Sequence, residues 1–305
     1  MTTQVRLYEG RISRETSRRL ETIHEVGKLH SRFQHTLNIV LNIQLPNLIT
    51  LGDERLLGSP NSVAITDFQQ LLHSIPEHAS FLVVGDRIYI DIYAIIQLKI
   101  LTEYEQEPLL ETPDLSGSIT RQRQFLEQEL IRLNPYPEQP AYLPFFQQVI
   151  LEGEALVAAI TTRNWLDTQY HGRRLLGLGV GLTPSGDDYL TGLLLSLDNI
   201  ESHTNNHAAF ILKQHVSRAI FGGNKQHLDR TNDISQHQLY FAQRGEGKVC
   251  VLNLIKGIKQ KRFTESELQV AIKEVLSIGS TSGYDLLLGV LAGLTILTRS
   301  EEQSK

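Results

Sequence analysis

A chain of 305 residues with 41% hydrophobic and 21% charged residues is globular in composition, long enough to bury a core without staples as one large or two modest domains. Its single cysteine, Cys250, excludes an internal disulfide and any multi-cysteine metal centre. A formal net charge of −5, no apolar run of membrane-span length and no signal h-region after Met1 point to a cytoplasmic protein that takes neither nucleic acid nor membrane as partner.

In chain order, residues 1–29 read as a charged N-terminal extension, partly helical. Residues 30–104 read as β-rich. From Thr36 to Ile43, Leu37, Ile39, Leu41 and Ile43 alternate with Thr36, Asn38 and Asn42, the period of a half-buried strand. Phe81–Val84, Gly85-Asp86 and Arg87–Ile92 read as a hairpin, because Gly accepts the positive φ of a tight turn. Leu48–Leu51 and Ser62–Thr66 are shorter strand candidates. Together they predict a small barrel or sandwich-like domain. Residues 105–118, with Pro108, Pro113 and Gly117, read as a linker, and Asn134–Pro144 is a second proline-rich break. The rest, 119–305, predicts a larger all-α domain, so the fold class is α+β. Phe145, Phe146, Val149, Ile150, Leu156, Val157 and Ile160 recur at helical steps. Further helices are expected near 206–221, 235–243, 248–260 and 265–277, the last opened by a capping box of Thr264 and Glu267.

One segment is chemically dense: Gly177-Leu178-Gly179-Val180-Gly181-Leu182-Thr183-Pro184-Ser185-Gly186-Asp187-Asp188, running into Leu190, Leu193, Leu194 and Leu197. Alternate glycines make a permissive loop, and the leucines mark the buried face of a helix with Thr183 as its N-cap and Pro184 in its first turn. The pattern recurs near the C-terminus. Ser185-Gly186-x-Asp188-x-Leu190-x-Gly192 aligns with Ser282-Gly283-x-Asp285-x-Leu287-x-Gly289, preceded by Thr281. Gly inside a helix costs about 1 kcal/mol against Ala, so Gly192 and Gly289 imply close backbone contact. The two helices are expected to pack as a pseudo-symmetric pair and bring both loops to one site.

A helix N-terminus with hydroxyls and flexible glycines can surround phosphate or carboxylate. Aspartates oppose an anion but can hold a cation or accept a ligand's amide N–H. Ser, Thr and Asp before a helix also cap it with no ligand involved. The segment lacks the Lys of a Walker A loop, and no GxSxG elbow is present. Among weaker candidates, Thr231 or Ser235 reads as a helix cap or a third hydroxyl facing the same site. Arg173 and Arg174 are candidate anion partners. His203 and His207 read as a solvated loop rather than a metal pair, and Cys250 as a buried, inert thiol. No metal and no cofactor are expected.

The Gly181–Asp188 block, with Leu190 and Gly192, resembles the signature of a bacterial domain family long classed as of unknown function, which includes the AllH-type third subunit of oxamate carbamoyltransferase. Further resemblances are His30-Ser31-x-Phe33, Thr231-x-x-Ile234-Ser235 with Leu239, Ala242 and Gly245, and Gly279-x-Thr281-Ser282-Gly283-x-Asp285. The likeness spans about residues 30–297 and leaves the extension outside. It implies a subunit of a three-protein carbamoyltransferase of purine (allantoin) catabolism, one partner of which resembles the α subunit of acyl-CoA synthetases. That enzyme interconverts oxalurate plus phosphate with oxamate plus carbamoyl phosphate. Motif and resemblance together single out Ser185, Asp187, Asp188 and Asp285 as catalytic candidates. They single out Gly181, Thr183, Gly186, Thr231, Ser235, Thr281, Ser282, Gly283 and His30 for binding a small carboxylate or phosphate. A non-catalytic scaffold subunit, and an enzyme acting on another small carboxylate or phosphate, remain alternatives.

Overall fold

A computed structural model describes residues 5–101, 119–198, 207–222, 227–260 and 262–302. The chain divides into two compact units, one ending at Leu109 and one beginning at Leu110. The expected linker over 105–118 and His203 lie outside the described residues.

The first unit is a closed barrel of eight strands in the order β1-β5-β4-β3-β2-β6-β7-β8. The strands are β1 (Arg6–Ile12), β2 (His24–Arg32), β3 (Thr36–Leu41), β4 (Leu48–Gly52), β5 (Ser62–Ile65), β6 (Ser80–Val84), β7 (Arg87–Ile90) and β8 (Ala94–Ile100). Short helices α1 (Arg14–Leu20) and α2 (Phe68–Ser74) interrupt them. The core holds Leu37, Ile39, Ile49, Leu51, Val63, Phe81, Val83, Ile88 and Ile96 from the strands, and Phe68 and Leu71 from α2. The hairpin forms as read: Gly85 takes φ 52°, and Phe81 pairs with Ile90 and Val83 with Ile88.

From Arg6 onward the expected extension is instead part of the barrel. β1 closes it, antiparallel to β5 and parallel to β8, and β2 joins β3 to β6. Its strand pattern is hidden because inward positions carry glycine. A Cβ on Gly10 would lie 2.8 Å from Ile96 Cγ2, and one on Gly27 2.9 Å from Leu41 Cδ2. Neighbouring side chains fill that space, so the apolar alternation is absent from the sequence where the strand is present.

The second unit is helical: α3 (Ile119–Arg132), α4 (Leu143–Thr161), α5 (Trp165–Leu175), α6 (Ser185–Leu197), α7 (His207–Phe221), α8 (Asp233–Ala242), α9 (Val249–Lys259), α10 (Glu265–Leu276) and α11 (Ser282–Glu302). Among the described residues α4 is long and apolar enough to cross a membrane by length and composition, unlike the reading that no such run exists. Its buried side carries Glu152, bonded to His171 Nδ1 at 2.8 Å.

α6 is the axle of this unit. All 13 of its residues are buried, and α4, α5, α7, α8, α9 and α11 pack around it. Its leucines account for this: Leu190, Leu193, Leu194, Leu195 and Leu197 are all buried, each worth about 1.5–3 kcal/mol. Its partner is α11, and the expected close approach is observed. A methyl at Gly192 would overlap Leu286 O and come within 2.9 Å of Val290 N; one at Gly289 would overlap Tyr189 O and come within 2.8 Å of Leu193 N. Tyr189, Gly192 and Leu193 occupy the positions in the first motif copy that Leu286, Gly289 and Val290 occupy in the second, so the contact is reciprocal, as across a two-fold axis.

The repeat extends to the preceding helices. A Cβ on Gly186 would overlap Leu175 O at the end of α5, and one on Gly283 would overlap Val275 O near the end of α10. The Ser-Gly glycines are therefore required for packing in both copies. The capping box of Thr264 with Glu267 forms as expected at the start of α10.

Candidate functional site

The two loop–helix starts meet at the axis of the pair. Thr183 Oγ1 and Ser282 Oγ are 2.9 Å apart, one hydroxyl from each copy. Thr183 does not cap α6. Pro184 occupies the N-cap position with no side-chain bond, and the Thr183 hydroxyl is left to reach across. Gly179 explains the tight approach: at φ 126° its backbone crosses the start of α6, with a built Cβ only 2.6 Å from Ser185 N. Gly181, at φ 95°, is exposed with open space where a side chain would stand.

Beneath the hydroxyls lie two buried carboxyls, Asp188 and Asp285, at equivalent positions of the two copies. Burial pushes Asp285 up to about 7, against the pull of Tyr136 and Ser185. Burial pushes Asp188 up to about 8; Gln238, Ser282 and Thr183 pull it down, and the charge of Asp285 adds to the rise. Each serine thus lies beside the aspartate of the other copy. Both carboxyls titrate near neutrality, where an unperturbed aspartate is fully ionised.

The partners of the two acids differ. The Tyr136 hydroxyl donates to Asp285, 2.8 Å from each carboxylate oxygen, and lies 3.1 Å from Ser185 Oγ. Burial beside Asp285 raises the Tyr136 phenol far above its ordinary value, so it stays a donor, and the Thr281 hydroxyl adjoins it. Asp188 Oδ1 accepts from Gln238 Nε2 at 2.6 Å, and Gln238 also reaches Thr191 Oγ1 at 3.1 Å. Asp188 Oδ2 is buried with no hydrogen-bond partner. Lys248, exposed at the start of α9, is within electrostatic reach of Asp188; surrounding protein lowers its ammonium from the ordinary value.

Asp187 points elsewhere. Its Oδ1 accepts from Gly177 N at 2.9 Å and its Oδ2 from the Thr231 hydroxyl, which ties the glycine loop to the turn before α8. Burial raises its pKa against those bonds. Neither Thr231 nor Ser235 caps α8. Asn232 does, accepting from Ser235 N at 3.1 Å. Ser235 Oγ is buried without a hydrogen-bond partner, close beside Asp187.

The helix-start amides are partly spent within the chain: Gly186 N donates to Leu178 O at 2.8 Å and Gly283 N to Ile278 O at 2.9 Å. Arg174 is engaged too, by Glu152 Oε1 and the Tyr170 ring. Cys250 is half-buried, not buried; desolvation raises its thiol. Among the described residues no group of three or more His, Cys, Asp or Glu is arranged to hold a metal. His30 is exposed on β2 of the barrel, its Nδ1 3.0 Å from Ser31 Oγ.

The structure therefore brings together Thr183, Ser185, Asp188, Thr281, Ser282 and Asp285. It uses Gly186, Gly283, Asp187 and Thr231 to hold the frame. Tyr136, Gln238 and Lys248 are the additions that sequence reasoning missed. Chemically the cluster offers hydroxyl donors and two carboxyls that exchange protons near neutral pH, the equipment to orient a small polar ligand and share a proton with it.

No solved structure matches the chain. Residues 7–103 match the model of the AllH family N-terminal domain, which begins well inside the expected extension, and residues 175–294 match that of oxamate carbamoyltransferase subunit AllH. The second match contains both copies of the loop–helix motif, and the first spans almost all of the barrel. The two matches cover most of the chain, which belongs to the AllH family of oxamate carbamoyltransferase subunits.

Proposed function

We propose that this chain contributes the carbamoyl-transfer site of a cytoplasmic complex acting in allantoin catabolism, at the axis between α6 and α11. In the reaction, a phosphate oxygen attacks the carbamoyl carbon of oxalurate. The tetrahedral oxyanion collapses, the C–N bond breaks, and the departing nitrogen takes a proton to give oxamate beside carbamoyl phosphate. The observation that carries this reading is the meeting of two hydroxyl-bearing loops over a pair of buried carboxyls. Hydroxyls of Thr183, Ser185 and Ser282 are the donors for oxyanion and phosphate oxygens. A carboxyl that burial brings to about 7, as it does Asp285, suits delivery of a proton to the leaving nitrogen. The chain holds the reactants in place and supplies donors, and no covalent intermediate on it is invoked.

The test is an assay of the reconstituted complex in both directions with Ser185→Ala. We expect activity to fall about 100-fold or more, the usual scale for one oxyanion donor, with assembly intact. Near wild-type activity overturns the reading. A second reading, a non-catalytic assembly subunit, is favoured by one observation: every carboxylate oxygen of Asp187 and Asp285 already has a partner within the chain. Under it, Ser185→Ala weakens folding or assembly, and activity falls only in proportion.

A further inference from the structure

We infer that Asp188 is the one carboxyl of the motif that faces the ligand, and that its Oδ2, in the ionised carboxylate, receives an N–H of a neutral carboxamide or carbamoyl group. The inference rests on the proposed carbamoyl-transfer site and assigns its amide subsite. The three motif aspartates are alike in sequence and separate on their partners. Both oxygens of Asp187 are bonded, to Gly177 and Thr231, and both of Asp285 accept from Tyr136. Asp188 alone keeps one oxygen without a partner, although the residue is only 1% exposed. A buried acceptor left unpaired is destabilising, and a ligand donor recovers that cost. Oδ1 is pinned by Gln238 at 2.6 Å, so Oδ2 is fixed in direction before any ligand arrives.

The surroundings select the donor. Thr183, Ser282, Gln238 and Thr191 are neutral hydrogen-bonding groups. Lys248 already places a positive charge within reach of Asp188, so the incoming donor need carry none. A planar NH₂ attached to a carbonyl meets these terms: it donates to Oδ2 and leaves its own oxygens to the hydroxyls. Entry requires parting the contact between Thr183 and Ser282, which joins two half-buried side chains across the loops.

Oxamate and pyruvate provide the discriminating pair. Both are carboxylates next to a carbonyl; one ends in NH₂ and the other in CH₃. Calorimetric titration of the full chain at about pH 9, above the range in which Asp188 holds its proton, is expected to give at least about tenfold tighter binding of oxamate, the scale of one buried hydrogen bond. Asp188→Asn keeps the bond from Gln238 through its carbonyl and so turns a donor toward the ligand. It is expected to lose the preference for oxamate while still binding pyruvate. Equal binding of the two probes by the wild-type chain overturns the amide subsite and leaves the anion site standing. Binding of neither probe overturns the site reading itself. Preference kept in Asp188→Asn overturns the assignment to Asp188. If that variant does not fold, the wild-type ratio alone decides, and a ratio under about twofold refutes the inference.

Discussion

Two aspartates on one axis differ because one has a tyrosine and the other does not. Tyr136→Phe removes the donor that both oxygens of Asp285 share and leaves the Ser185 hydroxyl alone beside them. Loss of that bond in the interior is expected to cost about 1–3 kcal/mol in urea denaturation. The acid pair also sets a pH dependence. Unfolded aspartates lose their protons near pH 4, whereas the folded chain holds those of Asp285 and Asp188 to about 7 and about 8. Between those limits the folded state binds more protons, so stability falls as pH rises. Lowered carboxyls such as Glu152 and Glu267 act in the other sense, but only at more acid pH. Lys259, lowered to about 8 by burial, opposes the trend only at the alkaline edge of the window. The wild-type Tm is therefore expected to decline from pH 5 to pH 8. Asp188→Asn should flatten the decline, with a difference of about 1–3 kcal/mol at pH 8. A wild-type Tm that rises across this window refutes the assignment of the pair.

The reciprocal crossing of α6 and α11 is a property of two elements, and its test is a double mutant. Gly192→Ala drives a methyl into Leu286 O, and Gly289→Ala drives one into Tyr189 O. Backbone cannot swing aside as a side chain does, so each is expected to cost about 3 kcal/mol. Either change separates the same pair of helices. The double mutant should therefore cost clearly less than the two singles added together, read as denaturation midpoints in a mutant cycle. By contrast Thr264→Ala, which undoes the capping box of α10, is expected to cost about 1 kcal/mol. The repeat was legible because its residues stand at fixed spacing, and the helix contact followed from Gly192 and Gly289. Tyr136 was not legible. It comes from the proline-rich stretch between α3 and α4, which local pattern marks only as a break. Gln238 lies mid-helix, one polar residue among several on α8. Thr183 fits the rule for a helix cap, and only the partner across the axis reveals its other use. In the barrel, Gly10 and Gly27 erased the alternation that made β3 readable.

At the scale of the whole molecule, the barrel and the helical unit each contain what a domain needs. The barrel closes its own sheet and buries its own cluster around Phe68 and Phe81. A fragment of residues 1–109 is thus expected to fold alone, with β-type circular dichroism and one cooperative transition. A fragment without a transition would mean that the core depends on the helical unit. In that unit the candidate site is mounted on α6, whose 13 residues are all buried. Such a helix is released to solvent only when the unit unfolds. Its backbone amides should be among the last to exchange with deuterium, on the timescale of global unfolding, whether or not ligand is present. Adjustment to a substrate then falls to the glycine-rich approach from Gly177 to Gly181, where faster exchange that slows on binding would mark the moving part.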